Sequence, residues 1–229
     1  MLKIDKAEEP LEFVNFKKVH PNSKRWAAIK RESGLKKILW EYLLEQEQKI
    51  NGSYCCVYCE RKITLDDSHI EHIKPKSVYK DETFNYQNLT VSCEVEEVTV
   101  KNLKIKLKTC GHHKGDRFDE DRFINPVRED PKDFFTYDLT TGNVVPRESL
   151  SVKEQEKAEY TIDLLNLNHY YLDDKRTEIL DYFISIENRE ELIYVLDNFD
   201  QFPGVVDFFK SECLNTWDEM HAPAEPSDR

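Results

Sequence analysis

Cys56 and Cys59 form a C-x2-C pair, and His69, Glu71, His72, Asn88, Cys93, Cys110, His112 and His113 follow it in one stretch of the chain. Soft thiolates, a hard carboxylate, imidazoles and an amide together are the inventory for one structural metal and one catalytic metal. That inventory suits phosphodiester hydrolysis. Cysteines at C-x2-C spacing can both reach one ion from a tight turn, and Cys93 with Cys110 would complete a tetrahedral four-thiolate Zn2+ site. The competing reading is ordinary buried cysteines. Cys55 is a poorer substitute for Cys56 because its spacing to Cys59 is longer, and Cys213 falls in a helical pattern and reads as core.

At 229 residues and 39% hydrophobic content, the chain can build one ordinary core, or a small core with helical extensions. No run of apolar residues is long enough for a membrane span and no charged-then-apolar leader is seen, so the expected location is cytoplasmic. Six cysteines in such a chain are expected as metal ligands or free thiols. The net charge of −12 argues against strong autonomous binding to nucleic acid, because that affinity comes from Lys and Arg displacing counterions. A nucleic-acid enzyme this acidic needs a local basic surface or a partner that delivers the substrate.

The order Cys56-Val57-Tyr58-Cys59, His69-Ile70-Glu71-His72-Ile73-Lys74-Pro75, Asn88-Leu89, Cys93 and Cys110-Gly111-His112-His113-Lys114-Gly115-Asp116 resembles the HNH nucleases and their ββα-metal fold. The wider chain resembles the PtuB group, the nuclease half of the Septu anti-phage defence pair and of some retron systems. That wider likeness rests on the helix before Cys56, on Tyr58-Cys59-Glu60-Arg61, on the split second cysteine pair and on Thr161-Ile162-Asp163-Leu164-Leu165-Asn166-Leu167-Asn168.

The resemblance implies that His72 takes a proton from water, that Asn88 orients it, and that Glu71 is the acidic ligand of a catalytic Mg2+ or Mn2+. The second ligand of this family follows the last knuckle cysteine, and that position here is Gly111, which has no side chain to offer. His112 or His113 must substitute, and His113 is favoured because a helix starting near Gly111 would turn it toward the cleft. The resemblance also implies an ABC/SMC-like ATPase partner, PtuA. His72 as a purely structural histidine is the competing reading.

The positioning elements follow from the pattern. His69, two residues before Glu71, shares its strand face and is a candidate for the metal site, for a phosphate contact or for a supporting hydrogen bond. Lys74, Lys76 and Lys114 supply local positive charge. Between Cys93 and Cys110, Val98, Val100, Leu103, Ile105 and Leu107 suggest two strands around a Lys101-Asn102 turn, a hairpin that returns the chain and brings the cysteines together. Lys104, Lys106 and Lys108 share one face of it, either against phosphate or as a solvated face paired with Glu94, Glu96 and Glu97.

Residues 1–22 read as an extended arm, and residues 23–50 as a helical stripe interrupted at Gly34 and stopped by Gly52. Residues 51–117 read as the nuclease core. Residues 118–229 read as a hairpin around Thr141-Gly142-Asn143, then helices opened by a Ser151 to Glu154 capping box and by Asn188, and a frayed tail over 222–229. The expected class is α+β, a central ββα-metal unit with a zinc knuckle flanked by an N-terminal helix and C-terminal helices. The apolar stripes of the last helices either close the core or dock the ATPase or a second copy of the chain. Three readings compete: a metal-dependent endonuclease on DNA, the same chemistry on RNA in a retron-type system, and a non-catalytic zinc-stapled adaptor.

Overall fold

Met1, Leu2 and Ile4 are buried, and the Leu2 and Ile4 amides donate to the carbonyls of Val57 and Pro126, both at 2.9 Å. The computed structural model describes residues 1–100 and 103–220. The expected arm over 1–22 is therefore a correction. Its start is locked against the C-x2-C turn, and Leu11–Val19 forms helix α1. The spacing of Phe13 and Phe16 gives one helical face, and both rings pack on Phe84. Nine residues with only Phe13 and Phe16 buried show too little of a period to declare a helix in sequence.

A 3₁₀ turn over Trp26–Arg31 and helix α2, Leu35–Glu47, replace the single expected helix. They are separated at Gly34, whose φ of 76° is a left-handed conformation that glycine adopts without a Cβ penalty. Leu35, Leu39, Leu43 and Leu44 of α2 are buried. Beyond it, the buried Gln48 side chain donates to the carbonyls of Cys55 and Val91 and accepts from the Val91 amide, tying α2 to the nuclease core. The helix stops before Gly52, which instead turns the chain between β1, Lys49–Ile50, and β2, Ser53–Cys55. A short β3, Lys62–Ile63, pairs with β2.

Strands β4, Ser68–His72, and β5, Leu89–Cys93, form an antiparallel hairpin with Ser68 opposite Cys93 and His72 opposite Leu89. A second hairpin, β6 Glu96–Val100 and β7 Leu103–Leu107, then returns the chain, as the alternation suggested. Its expected turn at Lys101-Asn102 lies outside the described residues. Helix α3, Cys110–Lys114, follows and packs against β5 and α4, Val152–Leu165. The core is thus β4, β5 and α3, the strand–strand–helix order expected of a ββα unit.

The remainder closes around it. β8, Phe135–Tyr137, pairs with β9, Val144–Pro146. α4 opens on the expected capping box, with the Ser151 amide donating to the Glu154 carboxylate at 2.9 Å. The Thr161 to Asn168 motif has structural duties. Thr161 Oγ1 accepts from the Ile124 amide at 3.0 Å, Asn166 caps α4 with a left-handed φ of 51°, and Asn168 holds both backbone groups of Val144. Helices α5 Tyr170–Ser185, α6 Arg189–Asn198, α7 Pro203–Phe208 and, after a π turn, α8 Leu214–Met220 complete the chain. Of their stripes, Ile179, Leu180, Phe183 and Leu196 are buried, and Ile184, Ile193 and Phe199 are half-buried. The expected frayed tail lies outside the described residues.

Candidate active site

The four cysteines meet. The C-x2-C turn brings Cys56 and Cys59 to the end of β5, which carries Cys93, and the second hairpin delivers Cys110 at the start of α3. The Cys56 and Cys110 sulfurs are 3.8 Å apart and those of Cys59 and Cys93 3.9 Å. A tetrahedron with Zn–S bonds of about 2.3 Å has edges of roughly 3.8 Å, so the four thiols fit a zinc ion without rearrangement. Cys110 has φ 57°, a strained backbone for a residue with a Cβ, which turns its sulfur inward. The Cys93 amide lies 3.4 Å from the Cys56 sulfur. Burial pushes the Cys59 and Cys110 thiols well up, and a dication at the centre is what would make thiolates of them. Cys55 is excluded from the cluster. Its thiol faces the Asp200 carbonyl, and burial raises its pKa to about 12.

Glu71 is buried between β4 and α3. Burial pushes its carboxyl upward, but the Lys114 ammonium at 2.6 Å, and then His69, hold it down at about 2. Lys114 is itself buried and donates to the carbonyls of His72 and Ile73, both at 2.7 Å. In sequence it reads as one of three lysines that supply local positive charge. The structure corrects that, because its charge is consumed by Glu71 and by two backbone oxygens. Lys74 is also engaged, with Glu120 at 2.6 Å.

His72 is 3% exposed. Its Nε2 lies 3.0 Å from the Thr83 carbonyl, a partner that only an N–H can satisfy, so Nε2 carries the proton and Nδ1 the lone pair. Nδ1 is buried with no hydrogen-bond partner, and the Trp26 ring meets the imidazole edge-on at 4.6 Å. Burial, then the nearby Lys76, lower its pKa to about 4, so the ring is neutral at physiological pH. Asn88 does not touch His72, contrary to its expected orienting contact. It accepts from the Lys74 amide and donates to the carbonyls of Lys74 and Glu82, which staples the loop that presents Thr83.

His69, Glu94 and His112 form a second cluster, each offering a ligand atom within 4.8 Å of the others. His113 is not brought to it. Its Nδ1 lies 3.0 Å from the Leu164 carbonyl, so the ring turns toward α4 while its neighbour His112 turns toward β4 and β5. The expectation that favoured His113 is thus corrected by geometry. Cys110 enters the helix from a left-handed conformation, which sets the helix face differently from a simple count of residues after Gly111. Glu94, Thr83 and Trp26 were missed. In sequence Glu94 reads only as a partner for the lysine face, where the structure pairs Glu97 with Lys104 at 2.8 Å. Its place directly after Cys93 was the available signal.

The antiparallel hairpin, the four-thiol staple and the short helix define a ββα-metal nuclease unit with Glu-His at the end of its first strand. The model of the HNH endonuclease family matches residues 56–95, ending where the second hairpin begins. The chain is 34% identical over 167 residues to "Retron Vc95 putative HNH endonuclease" of Vibrio cholerae serotype O1 biovar El Tor, covering 69% of this chain and 74% of that one. It is 27% identical over 212 residues to "Retron Ec83 putative HNH endonuclease" of Escherichia coli, covering 80% of each. The chain belongs to the HNH endonuclease family, among relatives of the retron type, and is a nuclease. No helix among the described residues is long and apolar enough to cross a membrane.

Proposed function

We propose that this enzyme hydrolyses phosphodiester bonds in DNA, with His72 as general base and a divalent ion bound on the Glu71 side of β4. The observation that carries the reading is the His72 tautomer. Its Nε2–H is committed to the Thr83 carbonyl and its Nδ1 is left as an unpaired base of depressed pKa, beside a carboxylate and a cluster of ligand atoms. A pure scaffold has no use for that arrangement.

Nδ1 takes the proton from a water, and the hydroxide attacks phosphorus opposite the leaving oxygen. Nδ1 is covered in the structure, so water must be admitted to it before it can act. Asn88 keeps the Thr83 carbonyl in place, and the Glu71–Lys114 pair holds the end of β4 against α3. The ion, Mg2+ or Mn2+ in this reading, supplies Lewis-acid neutralisation of the charge that builds on the phosphate and leaving oxygen. Zinc is the ion that fits the four thiols.

The relatives named for retrons support a defence setting of that type over a Septu one. The net charge of −12 favours a partner that delivers substrate, for which a PtuA-like ATPase in the cytoplasm is the proposal. RNA is the alternative substrate, because water as nucleophile makes no demand on the 2′-hydroxyl. The test is cleavage of supercoiled plasmid and of total RNA by wild type and His72→Ala, with Mg2+ or Mn2+, with and without the ATPase. The expected result is plasmid cutting that falls about 10²–10⁴-fold in the variant. A folded, zinc-loaded protein that cuts neither nucleic acid under any of these conditions would return the zinc-stapled adaptor.

A further inference from the structure

The proposed hydrolysis calls for a divalent ion, and Gly111, directly after the last knuckle cysteine, has no side chain to offer it. Three side chains near it are grouped closely enough to hold one. Glu94 lies between two imidazoles, with Oε1 3.4 Å from His69 Nδ1 and Oε2 2.5 Å from His112 Nε2. The two rings meet edge-on with centroids 4.6 Å apart. On its other nitrogen, His69 Nε2 lies 3.4 Å from Glu71 Oε2.

A carboxylate facing Nε2 selects the tautomer with its proton there and leaves Nδ1 as the lone-pair nitrogen, the usual way in which a second carboxylate orients a metal-binding histidine. His69 Nδ1 makes no geometrically sound hydrogen bond. Glu71 is poorly placed to be a direct ligand, because its Oε1 is taken by Lys114 at 2.6 Å and faces the Tyr58 hydroxyl at 3.4 Å.

We propose that the ion of the proposed reaction is held by His69 Nδ1, His112 Nε2 and a Glu94 carboxylate oxygen, with Glu71 standing behind His69 as a positioning residue. This rests on the reading above and relocates its metal. Both Glu94 and His112 are neighbours of knuckle cysteines, so the four-thiol cluster would set the geometry of the second site. All three side chains are partly exposed, which leaves the ion open to water and phosphate on one side. Two imidazoles with one carboxylate favour first-row transition ions over Mg2+, which prefers oxygen ligands.

The test is a Co2+ titration of the full chain carrying one zinc, read by visible absorption and by metal analysis, for wild type, His69→Ala, His112→Ala, Glu94→Gln and His113→Ala. Plasmid cleavage is measured in parallel. The expected result is one Co2+ bound beyond the zinc, affinity at least ten-fold weaker in the first three variants, unchanged in His113→Ala, and no displacement by millimolar Mg2+. Absence of a second equivalent, or equal affinity in those three variants, overturns the ligand set. If wild type still cuts plasmid in that case, the hydrolysis stands without it. Cleavage that survives His72→Ala while Co2+ binds as expected overturns the hydrolysis and leaves the ligand set in place.

Discussion

Glu71 and Gly111 are a matched pair: a Cβ built on Gly111 would lie 2.6 Å from Glu71 Oε2 and 2.8 Å from its Cδ. The Glu71 carboxylate fills the space that a side chain after the last knuckle cysteine would take. The carboxylate cannot swing away without leaving Lys114. Gly111→Ala is therefore expected to destabilise the protein by about 1–3 kcal/mol, the usual cost of overpacking. Glu71→Asp on the same chain shortens the acid and should recover most of the loss. Thermal melts of the single and double variants decide it; equal losses in Gly111→Ala and the double variant would refute the pairing.

Removing Lys114 leaves a buried carboxylate and two backbone carbonyls without their donor. Lys114→Met is expected to cost about 3–5 kcal/mol in urea unfolding, as for other broken buried pairs. Because Glu71 would then lose the charge that holds it low, its contribution to acid stability should move. In wild type that contribution is present above pH 4.5 and is lost as pH falls toward about 2. In the variant the folded pKa of Glu71 rises, so the stability lost between pH 4.5 and about 2 should shrink. An unchanged acid profile would mean that Lys114 is not what depresses Glu71.

His72 acts in a separate window. Its folded pKa of about 4 lies below the ordinary 6.5, so the unfolded chain binds its proton first. Stability should fall as pH drops from 6.5 to 4, by on the order of 3 kcal/mol from this residue. His72→Gln should remove that part of the slope. Unfolding free energies measured between pH 4 and 7 check it, and a variant with the same slope as wild type would assign the dependence elsewhere.

Zinc removal is expected to unfold the nuclease unit, since three segments, the Cys56–Cys59 turn, the end of β5 at Cys93 and the start of α3 at Cys110, are pinned together at the four thiols. Metal analysis should find one zinc per chain, retained in Cys55→Ser and Cys213→Ser and lost in Cys93→Ser. Retention of zinc in Cys93→Ser together with loss in Cys55→Ser would reassign the knuckle.

Much of this protein was legible in one dimension. Metal ligation at C-x2-C spacing, the Ser151 and Asn188 caps and the alternation of residues 96–107 are local effects, governed by a few neighbouring residues. They therefore survived translation into three dimensions. The short α1 escaped because Phe13 and Phe16 show too little of a period.

By itself the sequence determined the residue types of the site, the closure of the knuckle by Cys93 and Cys110, and the family to which the chain belongs. Tertiary structure alone decided which of His112 and His113 faces Glu94, that Lys114 is consumed by Glu71, and that Thr83 rather than Asn88 fixes the His72 tautomer. The reason is that these are orientations of side chains on a short helix and a loop. They are set by the left-handed entry at Cys110, by packing of α3 on α4 and by the Asn88 staple, and none of these follows from spacing along the chain.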